Sequence, residues 1–224
     1  MGVYLITGAE KGIGRSLALA LNARGETVIA ACLNDSDELR GLGIQVEPNI
    51  DVTDMTALQA LASRLGETGT SIDVLISNAG IFRGDRFGEL DYDNILQHIS
   101  INALGPLRVC EALRGRLAEG AKVGIISSRM GSLGENSSGR CYAYRLSKAA
   151  ANMAGINLFH ELKKKGVTVV MLHPGMVATD MSAGGKGDFR PPEEAAAGLI
   201  RQLDTARLGE APEFRHANGE ALPW

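Results

Sequence analysis

Tyr144 and Lys148 stand four residues apart in the stretch YRLSK, the spacing that stacks two side chains on one face of a helix. A phenol over an ammonium is an acid–base device. With a pKa near 10 the phenol still holds its proton at neutral pH, and a nearby cation eases the loss of that proton by favouring the phenolate. Tyr142 competes for the place, but four residues on it meets Leu146, so only Tyr144 has a cation at the right distance. The same spacing also arises as packing plus a solvated charge, and the rest of the chain must decide between the two.

At the other end, the apolar run Val3–Ile6 is followed at once by TGAEKGIG, Thr7–Gly14, and then by the helical pattern SLALALNARG. This predicts a strand, a glycine-rich turn and a helix start. Gly8, Gly12 and Gly14 remove side chains where a backbone must turn tightly, approach a ligand and let the helix pack on the sheet. The N–H groups at such a helix start can hold a pyrophosphate. The spacing is G-x-x-x-G-x-G, which differs from the commoner G-x-G-x-x-G dinucleotide fingerprint. A tight strand-to-helix loop is the plainer alternative.

The elements that must position these residues alternate along the whole chain. Strands are predicted near Val3–Ile6, Thr27–Cys32, Gln45–Ile50, Asp73–Ser77, Ala121–Ser127, Val167–His173 and Glu213–His216. Helices fill the intervals, with entries marked by Asp54 and by Pro191-Pro192. Asn218-Gly219 is a turn signal. Strands alternating with helices imply parallel pairing and right-handed crossovers. The expected architecture is α/β, a Rossmann-type doubly wound sheet of about seven strands, with ligands at the carboxyl ends of the strands. With no linker or repeat in its 224 residues, the chain reads as one domain, residues 1–224.

Composition excludes several classes. A net charge of −3 leaves no electrostatic footprint for nucleic acid, and the one basic run, Lys163–Lys165, suits a helix end. Cys32, Cys110 and Cys141 form neither a disulfide framework nor a C-x-x-C motif. His98, His160, His173 and His216 are scattered without ligand spacing, so no metal is assigned, and His173 before Pro174-Gly175 reads as structural. The chain starts on an apolar strand, with no basic leader and no apolar run of membrane-span length. A soluble, cytoplasmic protein is expected.

Taken in order, T-G-x-x-x-G-I-G, Asp51-Val52, SNAG at Ser77–Gly80, INALG at Ile101–Gly105, IISS at Ile125–Ser128, Y-x-x-x-K and HPGMVATDM at His173–Met181 resemble the short-chain dehydrogenase/reductase family across nearly the whole chain. The stretch SSRMGSLGENSSGRCYAYRLSKAA and the Leu-Pro-Trp tail look most like its carbonyl reductases grouped with sniffer and the C-factor signalling proteins. The resemblance implies a catalytic set. Tyr144 would be the acid for the carbonyl oxygen, and Lys148 would lower its pKa and bond the nicotinamide ribose. Ser128 would hold the substrate oxygen. Asn102 would kink its helix and hold a water relaying protons to Lys148. The usual serine spacing fails, because thirteen residues before Tyr144 stands Gly131, and Ser132–Arg140 is about three residues longer than in most members. Local context, S-S-x-x-G, places the serine at Ser128, with Ser127 and Ser132 as alternatives.

The resemblance also implies a cofactor set. Gly8, Gly12, Ile13 and Gly14 would approach the phosphates, Asp51 and Val52 the adenine, and Asn78, Ala79 and Gly80 the adenosine side. Pro174, Gly175, Val177 and Thr179 would cradle the nicotinamide carboxamide. An acidic residue after the second strand selects NAD by bonding a ribose 2′-hydroxyl. Here the sequence is Cys32-Leu33-Asn34, and Lys11 offers the cation of many NADP-preferring members. NADP is expected. Leu33 in a place where many carry arginine, and Asp35 close by, keep NAD possible.

A small or medium ketone, aldehyde, quinone or dicarbonyl is the expected substrate. Met130, Tyr142, Met176 and the loop Gly131–Arg140 would line its site, under a glycine-rich lid at Met181–Pro192. Helices near Asp93–Leu117 and Tyr144–Lys164 pair in many relatives, so a dimer or tetramer is expected. Two rivals stand beside the reductase: a nucleotide-binding sensor of the C-factor type, and an isomerase or dehydratase with a permanently bound cofactor.

Overall fold

The computed structural model describes residues 1–183 and 187–224, so residues 184–186 of the expected lid lie outside it. Seven parallel strands form one sheet in the order β3-β2-β1-β4-β5-β6-β7, a doubly wound arrangement with its reversal between β1 and β4. They are β1 (Val3–Thr7), β2 (Thr27–Ala31), β3 (Gln45–Glu47), β4 (Ile72–Ser77), β5 (Leu117–Ile126), β6 (Thr168–His173) and β7 (Glu213–His216). The helices are α1 (Gly12–Ala23), α2 (Asp37–Gly41), α3 (Met55–Glu67), α4 (Tyr92–His98), α5 (Leu104–Leu113), α6 (Tyr142–Lys163) and α7 (Pro192–Thr205).

Both faces of the sheet are covered, which is why its strands read as continuous apolar runs. Tyr4, Ile6, Val28 and Ala30 pack on one side with Leu17 and Leu21 of α1 and Leu199 and Leu203 of α7. Leu5, Ile29 and Ala31 pack on the other with α3, α5 and α6 through Leu61, Leu113 and Phe159. Asp54 caps α3, its carboxylate accepting the N–H groups of Thr56 (2.8 Å) and Ala57 (3.2 Å).

Three boundaries depart from expectation for local reasons. β3 stops at Glu47, because Pro48 has no N–H and Asn49 is left-handed at φ 59°. β5 starts four residues early, at Leu117, across an irregular register that lets Ile72 pair with Leu117 and Val74 with Lys122. The long helix expected over Asp93–Leu117 is instead α4, a π-helical turn at Ile99–Ala103, and α5. Among the described residues no helix is long and apolar enough to cross a membrane.

Candidate active site

Tyr144 is the third residue of α6, and the first turn of that helix is held from outside. Arg140 and Cys141 both adopt left-handed backbone, at φ 59° and 48°, and Cys141 as N-cap supplies no side-chain acceptor. The acceptor is Asp85, on the loop after β4. Its carboxylate accepts the N–H of Tyr142 and, at 2.8 Å, that of Ala143, while its carbonyl accepts the N–H of Cys141 at 3.0 Å. A carboxylate here satisfies otherwise orphaned donors and faces the positive end of the helix. Phe82 of the same loop meets the Tyr144 ring edge-on at 5.0 Å.

Lys148 lies one turn on and is buried. Its Nζ donates to the Ile126 carbonyl at 2.8 Å and sits 5.7 Å from the centre of the Tyr144 ring. Burial lowers the ammonium pKa to about 8. Burial also raises the Tyr144 phenol to about 12, although part of the residue stays open, and the one influence pulling it back is the neighbouring Ser128 hydroxyl. This differs from the expectation that Lys148 lowers the phenol. The ammonium is aimed at the end of β5, and Ser128 is the polar neighbour that favours the phenolate. At neutral pH the pair is a protonated phenol above a largely protonated amine, the state in which Tyr144 can give a proton.

The three candidate serines separate cleanly. Ser127 donates to the Asn152 side chain, and Ser132 donates to the Trp224 carbonyl at 3.1 Å while accepting the Glu135 N–H. Ser128, also buried, is the one against Tyr144, and it accepts the Met130 N–H at 3.2 Å to start a short 3-10 turn, Arg129–Gly131. Gly131 is required there. A Cβ on it would come within 2.6 Å of the Lys148 backbone.

Asn102 lies in the π-helical turn, the kink expected of it. Its side chain is fully committed: Oδ1 accepts the Ile81 N–H (2.8 Å), and Nδ2 donates to the Ile81 carbonyl and the Ser147 hydroxyl (2.9 Å each). Gly80 sits against both Asn102 Oδ1 and Lys148 Nζ. His98 is a satisfied core histidine. Its Nε2 accepts the Arg83 N–H, which leaves Nδ1 to donate to the Asn94 carbonyl at 2.8 Å.

The carboxyl ends of β1, β2, β4 and β6 carry the residues expected to hold the nucleotide. Gly8 and Gly12 are left-handed, at φ 64° and 54°. A Cβ on Gly14 would collide with the Gly8 carbonyl and the Asn78 amide, and Ile13 packs against the core between them. Asn78 Nδ2 pins the turn by donating to the Thr7 and Gly8 carbonyls at 3.0 Å each. The N-cap of α1, Lys11, gives its first turn no side-chain acceptor, so N–H groups remain for an anion. These features fit a dinucleotide.

Val52 is buried, and Asp51 is turned to the Thr53 N–H and hydroxyl. Ala79 donates its N–H to Thr7 Oγ1. Leu33 and Asn34 are exposed after β2. Lys11 leans across the mouth, its Nζ 3.9 Å from Asp180. Past β6, Gly175 follows Pro174 with φ 87°, Val177 bridges to Arg190, and Thr179 forms a capping box with Ser182. Beneath them His173 and His216 meet edge-on at 4.9 Å. Burial lowers His173 to about 3, so it stays neutral, in keeping with a structural part.

Two residues escape the sequence reading. Asp85 is 57 positions from its partner, and nothing local marks it as a cap. Glu10 stands inside the glycine-rich turn. Its Oε2 is buried without a partner, and its carboxylate lies against the Cys32 thiol, helping burial push that thiol up to about 12. An acid within a phosphate loop is a signal that could have been noticed.

A doubly wound sheet with a glycine-rich β1–α1 turn, and with a Ser–Tyr–Lys set at its carboxyl edge, defines a nicotinamide-dependent oxidoreductase. The short chain dehydrogenase family model matches residues 2–187, and the chain belongs to that family. It is 51% identical, over the full length of both chains, to the 1-hydroxy-2-glutathionyl-2-methyl-3-butene dehydrogenase of Rhodococcus sp. strain AD45. It is 41% identical to the C-signal protein of Myxococcus xanthus, over 68% of this chain and 93% of that one. Among solved structures, a carbonyl reductase of Pseudomonas aeruginosa in complex with NADP superposes with a TM-score of 0.83 at 33% identity, covering both chains fully.

Proposed function

We propose that this oxidoreductase interconverts a carbonyl and an alcohol using NADP(H), with Tyr144 as the group that gives or takes the proton. The observation that carries the reading is the Ser128 hydroxyl beside the Tyr144 phenol with buried Lys148 one helical turn below. Two neighbouring hydroxyls can converge on one acceptor, so a carbonyl oxygen placed between them receives both hydrogen bonds and is held for attack. Tyr144 then hands over its proton, and the Lys148 ammonium balances the phenolate that remains. In the reverse direction the same phenolate takes the alcohol proton. NADP(H), when bound, accepts or supplies the hydride.

Gly8, Gly12, Ile13 and Gly14 would hold its phosphates, Asp51, Val52, Asn78, Ala79 and Gly80 its adenosine, and Pro174, Gly175, Val177 and Thr179 its carboxamide end, with Tyr144 and Lys148 beside the ribose. NADP is favoured over NAD because Cys32-Leu33-Asn34 carries no carboxylate and Lys11 brings a cation to the mouth. The NADP complex of the Pseudomonas reductase supports the same choice. The substrate is of small or medium size. The Rhodococcus relative's alcohol carries a glutathionyl group, which extends the proposed class to carbonyls and alcohols bearing a thioether-linked peptide.

Residues 1–224 would act as one cytoplasmic catalytic unit. Exposed Leu96, Leu104, Leu146 and Met153 on α4, α5 and α6 give two copies an apolar surface on which to pair. The likeness to C-signal favours a second reading, a nucleotide-binding signalling protein. That reading leaves the buried phenol and amine without a purpose.

The test is NADPH and NADH oxidation against a panel of aldehydes, ketones, quinones and dicarbonyls, with Tyr144→Phe beside the wild type. Loss of turnover by roughly 10²–10⁴ in the variant, with nucleotide affinity retained, is expected. Because burial lowers Lys148 to about 8, its charge is lost at that pH rather than near 10.5. Carbonyl reduction should therefore hold steady near pH 7 and fall as pH rises through about 8. Tight nucleotide binding with no turnover across the panel would turn the assignment to the signalling reading.

A further inference from the structure

Beside the catalytic serine lies a cavity of about 580 Å³ lined by Arg129, Met130, Gly134, Glu135, Ser137 and Arg145. Two of its lining residues are neighbours of the reaction centre in the chain: Met130 donates its N–H to Ser128 Oγ, and Arg145 follows Tyr144 on α6. The chain is acidic overall, at net charge −3, yet this corner is rich in guanidinium groups.

Arg145 is the fixed one. It donates Nε to the Gly139 carbonyl (3.1 Å), Nη1 to the Met130 carbonyl (3.3 Å) and Nη2 to the Ser138 hydroxyl (2.9 Å). All three acceptors are neutral. The half-buried guanidinium keeps its full charge and two of its five N–H donors. Arg140 follows Gly139 in the chain, and Arg83 stands on the loop that Asp85 ties to Cys141 and Tyr142. Both are exposed, and among the described residues neither pairs with a carboxylate.

The carboxylates nearby are already engaged. Glu135 takes Arg129 in a two-point pair at 3.0 Å each, Glu220 approaches the same guanidinium at 3.6 Å, and Asp85 is spent on the α6 N-terminus. A cavity with a fixed cation, serine and backbone polar groups and one methionine, flanked by chain segments that carry two further exposed arginines, suits a flexible chain that ends in carboxylates and carries a thioether.

We infer that this cavity is a subsite for a carboxylate-bearing peptide appendage of the substrate, with Arg145 as its fixed anchor and Arg140 and Arg83 as its outer contacts. The inference rests on the reading that Ser128, Tyr144 and Lys148 act on a carbonyl. The reacting group would sit between Ser128 and Tyr144, while the appendage runs past Met130 to the guanidinium groups.

The experiment compares two ketones with the same reacting end, S-(3-oxobutyl)glutathione and 4-(methylthio)butan-2-one, in the NADPH-loaded wild type, Arg140→Ala, Arg83→Ala and the double variant. The quantity read is the ratio of their kcat/KM values, so a general loss of activity cancels. The wild-type ratio should be about tenfold or more in favour of the glutathionyl ketone and should shrink as salt is raised. Each single variant should lower it by about threefold and the double variant by roughly tenfold, the range of exposed charge pairs. Arg145→Lys keeps the charge and loses the fork, and it should lower the ratio further than either single variant.

A wild-type ratio near one, or a ratio untouched by the double variant, overturns the subsite while leaving carbonyl reduction intact. If neither ketone turns over, the reductase reading fails instead, and the subsite is then decided by binding of S-hexylglutathione. Affinity that is lost in the double variant and at high salt supports it, and absence of binding to the wild type overturns it.

Discussion

The half of the cleft proposed for the nucleotide and the half proposed for the substrate are built by different means. On the nucleotide side, the turn Thr7–Gly14 is shaped by which residues lack side chains. Gly8 and Gly12 are left-handed, and Gly14 leaves no room for a Cβ. Its supports are backbone carbonyls and one amide, Asn78. On the substrate side, the segment from Ser132 to Cys141 is held by side chains from distant parts of the chain. Asp85 caps its exit, Arg145 fixes its middle, and Ser132 and Gly134 tie its start to the Trp224 carbonyl. Backbone geometry permits little variation in the first region, whereas the second can be altered one contact at a time.

The sharpest way to break this contrast is Gly14→Ala. A methyl group there drives the Gly8 carbonyl and the Asn78 amide apart, and neither has anywhere to move without opening the β1–α1 turn. The expected cost is about 1–3 kcal/mol of stability. NADPH affinity should fall at least about tenfold with it, as the N–H groups at the start of α1 lose their aim. Chemical denaturation and a binding titration on the same protein would measure both. A variant that binds NADPH as tightly as the wild type would show that the turn is more tolerant than its geometry suggests.

Asp85→Ala is the matching change on the other side, with a smaller effect. Loss of the cap should cost about 0.5–2 kcal/mol, because Arg140 and Cys141 remain left-handed with nothing else to receive the Tyr142 and Ala143 N–H groups. NADPH affinity should hold, while kcat falls, since Tyr144 sits in the first turn of the helix that frays. Asp85→Asn retains an acceptor and should recover part of both losses. Equal losses of nucleotide affinity and kcat would mean that the two halves of the cleft are mechanically one.

The same contrast explains what was legible in the sequence. Strand positions and a doubly wound parallel sheet followed from apolar runs alternating with helical segments, and the turn at Gly8–Gly14 from glycines whose spacing has a steric cause. Tyr144 and Lys148 were visible because helical periodicity brings them together within five residues. Ser128 was identifiable only through its S-S-x-x-G context, since the long loop after it shifts the count back from Tyr144. Asp85 was not legible at all: its partners are created by the fold. Nor was the direction of the phenol's shift, which depends on how deeply Tyr144 is buried and on Lys148 facing Ile126 rather than the hydroxyl.

The smallest expected effect tests the nucleotide side at its outer end, where 2′-phosphate and 2′-hydroxyl must be told apart. Two charges of opposite sign stand next to each other in the turn. Lys11 is exposed and 3.9 Å from Asp180, so its cation reaches the mouth but is partly countered. Glu10 is turned inward against Cys32, directly after β2, with one carboxylate oxygen buried and unpartnered. That is where a carboxylate repels a 2′-phosphate and welcomes a hydroxyl. Leu33 and Asn34 add no charge, so on the proposed reading the Lys11 cation is weighed against the Glu10 carboxylate. Lys11→Ala should weaken NADPH by about three- to tenfold and leave NADH nearly unchanged, whereas Glu10→Gln should strengthen NADPH by a similar factor. Titration of each variant with both nucleotides at two salt concentrations separates these outcomes. If Glu10→Gln instead weakens NADH and leaves NADPH alone, the buried oxygen is a partner for the ribose hydroxyl rather than a source of repulsion, and the turn then selects by what it bonds.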